Sequence, residues 1–380
     1  MKKIFVVDDS ALMRRVIFDI INSDGELQAE RYAVNGLEAL EILKSGEKFD
    51  AIVLDINMPK MNGIELLRAM KRENMNEKVL IVSTLAKEGA KETIQALELG
   101  AFDFVTKPDS LAEAKGMAFS NRLLNMLRTA TNLPVAAVSD DEKPGKTEKT
   151  VLTSSSKNVV KDQAPALSRK TLKGDTSKHS KAPLGNSARK LVALACSTGG
   201  PKALQYVIPF LPANLDAAVL IVQHMPEGFT ASLSSRLDEL SRIKVQEAAH
   251  GVNIEKGTVY IAKGGSQMRL VEKGKKEHSL SVTVEAARNG LKPCADIMYE
   301  SLMKTTFDEI TCVVLTGMGA DGTKGILQLE QTNKIYVIAQ DEASSTVYGM
   351  PKAIADAGAV DEVVTLKKVA DAITKHVGVQ

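Results

Sequence analysis

Tryptophan is absent, aromatic residues make up only 4% of the 380 residues, and cysteine occurs three times. Cys196, Cys294 and Cys312 form no CxxC pair, which argues against both a disulfide framework and a closed zinc site. No apolar run approaches the ~18–20 residues that span a bilayer. The apolar start Ile4–Val7 meets Asp8 and Asp9 too soon for a secretory signal. The expectation is a cytoplasmic chain without membrane insertion. A large charge excess is missing too, since the formal net charge is +2. Residues 121–190 hold fourteen Lys/Arg and six Asp/Glu, so the basic character belongs to one segment and the remainder is mildly acidic. That distribution speaks against nucleic acid as a partner.

What is present suits an ordinary globular protein: 44% apolar and 25% charged residues. The length predicts two domains. No aromatic residue lies between Phe119 and Tyr206, and Thr131–Arg189 is rich in Ser, Thr, Lys and Pro. Such a stretch buries too little apolar surface to offset its ordering entropy. The expected division is a first domain at 1–120, a flexible basic linker at 121–187, and a second domain at 188–380.

Within the first domain, the runs Ile4–Val7, Ile52–Leu54 and Val79–Val82 read as parallel strands buried on both faces. Weaker strands near Gln28–Val34 and Phe102–Thr106 complete five β/α units. Leu12, Val16 and Ile20 give a helical stripe between the first two strands. A five-stranded, doubly wound, flavodoxin-like sheet follows. Asp8 and Asp9 end its first strand and Asp55 its third, flanking the switch point of such a sheet. Three carboxylates gathered there repel one another and call for a hard cation, Mg²⁺ above all. Lys107 and Ser83, at two further strand ends, suit an incoming phosphoryl group.

In the second domain, strands are expected at Leu191–Cys196, Ala218–Gln223, Thr258–Ala262, Thr311–Thr316 and Ile335–Ala339, giving a second α/β doubly wound unit. The segment Lys273–His278 reads as an exposed turn. Ser197 sits where the first strand turns through Gly199-Gly200-Pro201 into a helix, a site that exposes a hydroxyl near helix N–H groups. A serine nucleophile needs a base. His179 lies in the linker, His278 in the turn and His376 in the polar tail; His250 is possible, and His224, ending a strand, is best placed. Asp321, after the strand Thr311–Thr316, supplies an orienting carboxylate, completing a Ser197, His224, Asp321 set. Its order differs from that of α/β-hydrolases. A rival reading takes Gly317-x-Gly319-x-x-Gly322 with Asp341 as a dinucleotide fingerprint, but leaves Ser197 and His224 without a role. A further alternative is a non-catalytic output domain. Cys196 ends its strand and should pack inside, and Cys294 and Cys312 read as structural.

Residues 1–120 resemble the receiver domain of response regulators. The resemblance makes Asp55 the phosphoacceptor, has Asp8 and Asp9 help hold Mg²⁺, places Lys107 against the phosphoryl group, and pairs Ser83 with Phe104 as switch residues. The stretches Ser197-Thr198-Gly199-Gly200-Pro201, Gln223-His224-Met225-Pro226 and Leu315–Gly322 resemble the catalytic domain of chemotaxis protein-glutamate methylesterases of the CheB type, as do Ala339–Ser345 and Tyr348–Pro351. Gln267 departs from the usual family histidine, and Asn289–Pro293 is less basic than usual. The resemblance implies hydrolysis of glutamate γ-methyl esters on chemoreceptors, glutamine deamidation, and phosphoryl supply by the histidine kinase CheA. It also implies an oxyanion contact from the Met318 N–H, Thr198 near the substrate, and no cofactor in the catalytic domain.

Overall fold

The unbroken apolar runs of the N-terminal part form strands covered on both faces. In this computed structural model, which describes residues 1–84, 87–108, 110–114, 116–135, 189–273 and 277–380, the chain runs β1 (Lys2–Val7), α1 (Ala11–Asn22), β2 (Leu27–Ala33), α2 (Gly36–Lys44), β3 (Ala51–Asp55) and α3 (Gly63–Arg72). It continues with β4 (Lys78–Ser83), α4 (Lys87–Leu99), β5 (Asp103–Thr106), α5 (Leu111–Ala114) and α6 (Met117–Ala130). The sheet order is β2-β1-β3-β4-β5, all parallel. Every residue of β3 is buried, whereas β2, at the edge, exposes the middle of its length. Helix starts are written locally: Ser10 caps α1, and Asn62 with Glu65 closes a capping box on α3.

Two expectations shift. The α1 stripe buries Val16, Ile17, Ile20 and Ile21, while Leu12, in the first helical turn, is 52% exposed. Residues 121–130, assigned by composition to the linker, instead complete α6 and bury Leu123 and Leu127 against the N-terminal sheet. Of the remaining expected linker, residues 136–187, with His179, lie outside the described residues.

The C-terminal part contains β6 (Lys190–Cys196), α7 (Gly200–Val207), β7 (Ala217–Gln223), α8 (Phe229–Leu240), β8 (Lys244–Glu247), β9 (Thr258–Ile261), β10 (Gln267–Lys273) and β11 (Glu277–Thr283). After these come α9 (Ala295–Glu300), β12 (Glu309–Val314), α10 (Thr323–Glu330), β13 (Ile335–Gln340), α11 (Met350–Asp356), β14 (Glu362–Val364) and α12 (Val369–Val377). Seven parallel strands are ordered β14-β13-β12-β6-β7-β9-β8, and β10 pairs with β11 as an antiparallel hairpin. All seven residues of β7 are buried. Each such Val, Leu or Ile contributes about 1.5–3 kcal/mol. The order reverses at β6, whose neighbours are β12 and β7, and ligands of open α/β sheets bind at such a point.

The hairpin corrects the turn expected around His278. That residue lies on β11, buried, with its ring stacked on Phe307 at 4.2 Å, so charged neighbours in sequence concealed an inward-facing position. Residues 274–276 lie outside the described residues. Likewise His376 belongs to α12 rather than a loose tail, and stacks on Tyr336.

Candidate active site

At the carboxyl ends of the adjacent strands β1 and β3, Asp8, Asp9 and Asp55 each offer an oxygen, and these lie within 4.8 Å of one another. Lys107 Nζ meets Asp55 Oδ2 at 2.7 Å and Asp8 Oδ2 at 2.9 Å. Burial, reinforced by the charge of Asp8, raises the Asp55 carboxyl above its ordinary range despite that ammonium. Ser83 is buried with its Oγ turned inward, accepting a hydrogen bond from Thr93 Oγ1 at 2.7 Å. Asp8, Asp9, Asp55, Ser83 and Lys107 are therefore at the same sheet end, and the donor set, hard carboxylate oxygens only, fits Mg²⁺.

The second site lies at the ends of β6, β7 and β12. The sheet's hydrogen bonding continues beyond the strands through the residues of interest: Ser197 N–H donates to Thr316 O (3.0 Å) and His224 N–H to Cys196 O (3.1 Å). Backbone position is thus dictated by strand pairing. His224 Nε2 lies 2.7 Å from Asp321 Oδ2. The remaining ring nitrogen, Nδ1, is the one left for the serine, the reverse of the serine-protease arrangement. Asp321 is held on all sides: Oδ2 accepts from Ala295 N–H (2.6 Å), and Oδ1 from Asp296 N–H (3.0 Å) and the Cys294 thiol (3.2 Å). Burial pushes this carboxyl up, but the histidine and the two backbone N–H groups outweigh it and hold it at about 2. Cys294 is consequently more than structural filling, and burial beside Asp321 raises its thiol to about 12.

Two glycines permit the convergence. A Cβ on Gly317 would stand 2.8 Å from Ser197 Cβ and 2.4 Å from Met350 Sδ. Gly199, with φ +75°, starts α7 in a left-handed conformation hard against Thr346. Ser197, Thr198, His224, Met318 and Asp321 line one cleft of about 500 Å³. Among the described residues no hydrogen bond joins Ser197 Oγ to His224. His250 is elsewhere, its Nδ1 accepting from Val282 N–H at 3.3 Å.

The dinucleotide reading fails on the same ground. Asp296 Oδ1 accepts from Gly322 N–H (3.0 Å) and Gly325 N–H (2.7 Å), so a carboxylate already occupies the helix start where a pyrophosphate would sit. Asp341 caps its own loop through Ser344 N–H.

The cleft has a lid, of whose residues the sequence singles out only Phe104. Asp103, Phe104, Arg122 and Met126, all from the N-terminal part, line it opposite Ser197 and His224. Phe104 stacks on Phe229 at 4.6 Å, and Glu98 of α4 forms a two-pronged pair with Arg236 of α8 at 2.6 and 3.2 Å. Asp103 is 7% exposed, and its own Oδ1 accepts from Phe104 N–H. Burial raises it to about 6, with Arg122 and the Thr198–Gly199 turn opposing the rise. Thr198 Oγ1 nevertheless completes no hydrogen bond at full geometry. A lone aspartate starting a strand carries no sequence signal that it will face another domain.

Comparison with known proteins agrees with both halves. A family profile described as response regulator receiver domain matches residues 4–119, and one described as CheB methylesterase matches residues 192–373. The chain is 38% identical over 379 residues to the protein-glutamate methylesterase/protein-glutamine glutaminase 1 of Syntrophomonas wolfei, covering 98% of each chain. It is also 38% identical over 382 residues to the protein-glutamate methylesterase/protein-glutamine glutaminase of Bacillus subtilis, covering 99% of each. The solved CheB methylesterase catalytic domain of Thermotoga maritima is 34% identical with a TM-score of 0.48, covering 51% of this chain and 100% of that one. With near-complete coverage by such relatives, and a receiver domain preceding a CheB methylesterase domain, the chain belongs to the protein-glutamate methylesterase/protein-glutamine glutaminase family.

Proposed function

We propose that the chain is a phosphorylation-regulated serine hydrolase that removes methyl groups from glutamate γ-methyl esters of chemoreceptors and deamidates receptor glutamines. The observation that carries this reading is the 2.7 Å bond between His224 and Asp321 beside Ser197, on three adjacent strand ends that share one cleft. His224 Nδ1 takes the proton of Ser197 Oγ as the oxygen attacks the ester carbonyl. Asp321 stabilises the imidazolium that results. The Met318 N–H serves the oxyanion, a donor worth roughly 3–4 kcal/mol in such sites. The imidazolium then protonates the leaving methoxide oxygen, or the amide nitrogen of a glutamine, which departs as methanol or ammonia, and water activated by His224 releases the acyl group from Ser197.

Asp55 accepts the phosphoryl group, supplied by a histidine kinase of the CheA kind. Asp8, Asp9 and Asp55 are the residues that would hold Mg²⁺, which neutralises charge on the incoming phosphoryl group when bound. Lys107, paired with both Asp8 and Asp55, is placed to re-pair with that group. Regulation is a population shift between a closed form, with Asp103 and Phe104 over the cleft, and an open one. No helix among the described residues is long and apolar enough to cross a membrane, and the reaction belongs on the cytoplasmic side, where the kinase acts.

The test is methanol release from methylated receptor membranes, with and without a small-molecule phosphodonor. Ser197→Ala should abolish release, and Asp55→Ala should lose the stimulation. Undiminished release by Ser197→Ala would remove the serine mechanism.

A further inference from the structure

One buried side chain touches the backbones of both reacting residues. Gln223, the last residue of β7, is 1% exposed and pairs in register with Cys196 at the end of β6. Its Nε2 donates to Ser197 O at 3.0 Å and to His224 O at 3.1 Å. Its Oε1 accepts from the Cys196 thiol at 3.0 Å. Both amide protons are therefore committed, and no donor remains for substrate or oxyanion. Ser197 O also accepts from Gly200 N–H at 2.7 Å, so the carbonyl behind the nucleophile is fixed from two directions.

The neighbouring glycine belongs to the same device. A Cβ on Gly200 would lie 1.9 Å from Gln223 Oε1 and 2.9 Å from its Cδ. Room for the amide is thus the reason residue 200 lacks a side chain, whereas Gly199 is required by its φ of +75°. On the other flank, Gln340, ending β13, receives Thr316 N–H at 2.8 Å, and Thr316 Oγ1 in turn donates to Thr198 O at 2.9 Å. Among the described residues, only the Gln223 side chain joins the serine carbonyl to the histidine carbonyl.

We infer that Gln223 is the positioning residue that sets the Ser197–His224 separation, with Gly200 kept small to admit it. The inference rests on the reading of Ser197 and His224 as nucleophile and base. Strand pairing fixes the two backbones as far as the N–H groups of Ser197 and His224, whereas the carbonyls of these two residues, where each chain turns, both accept from Gln223 Nε2. A short rigid link across the gap holds the turns at one distance. Displacing a reacting group by about 1 Å costs up to about 100-fold in rate.

The experiment compares Gln223→Met, which keeps length and bulk without the amide, with Gly200→Ala, which keeps the amide but pushes on it. Both are made in the full-length chain and assayed on methylated receptor membranes, with melting temperature followed in parallel. Each should lower kcat about 10- to 100-fold with KM within about threefold of the native value, because the link acts on the reacting atoms and not on substrate binding. Phosphonylation of Ser197 by a serine-directed fluorophosphonate, read by intact mass on folded protein, should slow in parallel. A Gln223→Ala background should make Gly200→Ala cost less than about twofold, because the collision is gone. Native kcat in a folded Gln223→Met overturns the inference. If that variant fails to fold, Gly200→Ala decides alone: native kcat, or a lowered melting temperature at native kcat, overturns it. Undiminished turnover in Ser197→Ala would instead overturn the reading beneath it.

Discussion

Phe104 and Phe229 stack with ring centroids 4.6 Å apart and planes 25° apart, the first from β5 of the receiver, the second from the first turn of α8, five residues beyond His224. The proposed switch residue of the receiver thus packs directly on the helix that follows the proposed catalytic base. Its neighbour Asp103 faces the turn after the proposed nucleophile. A change at the proposed phosphorylation pocket has a short route to the cleft.

If this packing holds the enzyme closed, loosening its rim should raise turnover without phosphorylation. Arg236→Glu places like charges against Glu98, where the native pair is only partly exposed. The loss is on the order of 1 kcal/mol, which converts to about a fivefold larger open fraction. Basal methanol release should rise accordingly, and Glu98→Arg in the same chain should bring it back down. A rise that the second substitution leaves untouched would detach α4–α8 pairing from regulation.

Closure should also weaken with rising pH. Asp103 titrates at about 6 under the closed lid, against 3.8 for a free aspartate, because burial disfavours its charge more than Arg122 relieves it. The closed form therefore binds more protons between these values. Its contribution is fully present below the lower pKa and lost as pH passes the higher one. Asp103→Asn mimics the protonated group at every pH. The ratio of native to Asp103→Asn basal turnover should climb about tenfold between pH 5 and pH 7. A flat ratio would place Asp103 outside the closure equilibrium.

Asp321→Asn should be close to inactive. Four donors converge on the two carboxylate oxygens, so an amide nitrogen there must face at least one of them. Steady-state assays should show kcat lower by about 10³–10⁴, as for loss of the orienting carboxylate in other triads. Calorimetry should show a lower melting temperature as well, since buried N–H groups lose their acceptor.

Gly317→Ala tests how tightly the turn after β12 approaches the serine. The added methyl group collides with Ser197 Cβ, which is fixed to the backbone, and not only with the flexible end of Met350. Activity should fall at least about 100-fold. By contrast Gly290→Ala, where nothing lies within 4 Å of the added carbon, should leave the fold intact despite a φ of +72° that costs roughly 1–2 kcal/mol.

The primary sequence determined a good deal here. Unbroken apolar runs, ended by polar residues, marked most strands to within about two residues, whereas helices showed only as stripes such as Leu12, Val16 and Ile20. Chemistry placed at strand ends singled out Asp8, Asp9, Asp55, Lys107, Ser197, His224 and Asp321, because a parallel sheet delivers every strand's carboxyl end to one rim. Tertiary structure decided the rest. Asp103, Arg122 and Glu98 look like ordinary solvated charges until another domain is brought against them. His278 sits among charges in sequence yet is buried, because its ring packs on Phe307, a contact that neighbouring residues do not announce. Gln223 gives no sign in one dimension that its amide bridges two peptides, since that role exists only where β6 and β7 end side by side. Local pattern encodes the elements, whereas contacts across the sheet rim and between domains depend on distances that only the folded chain creates.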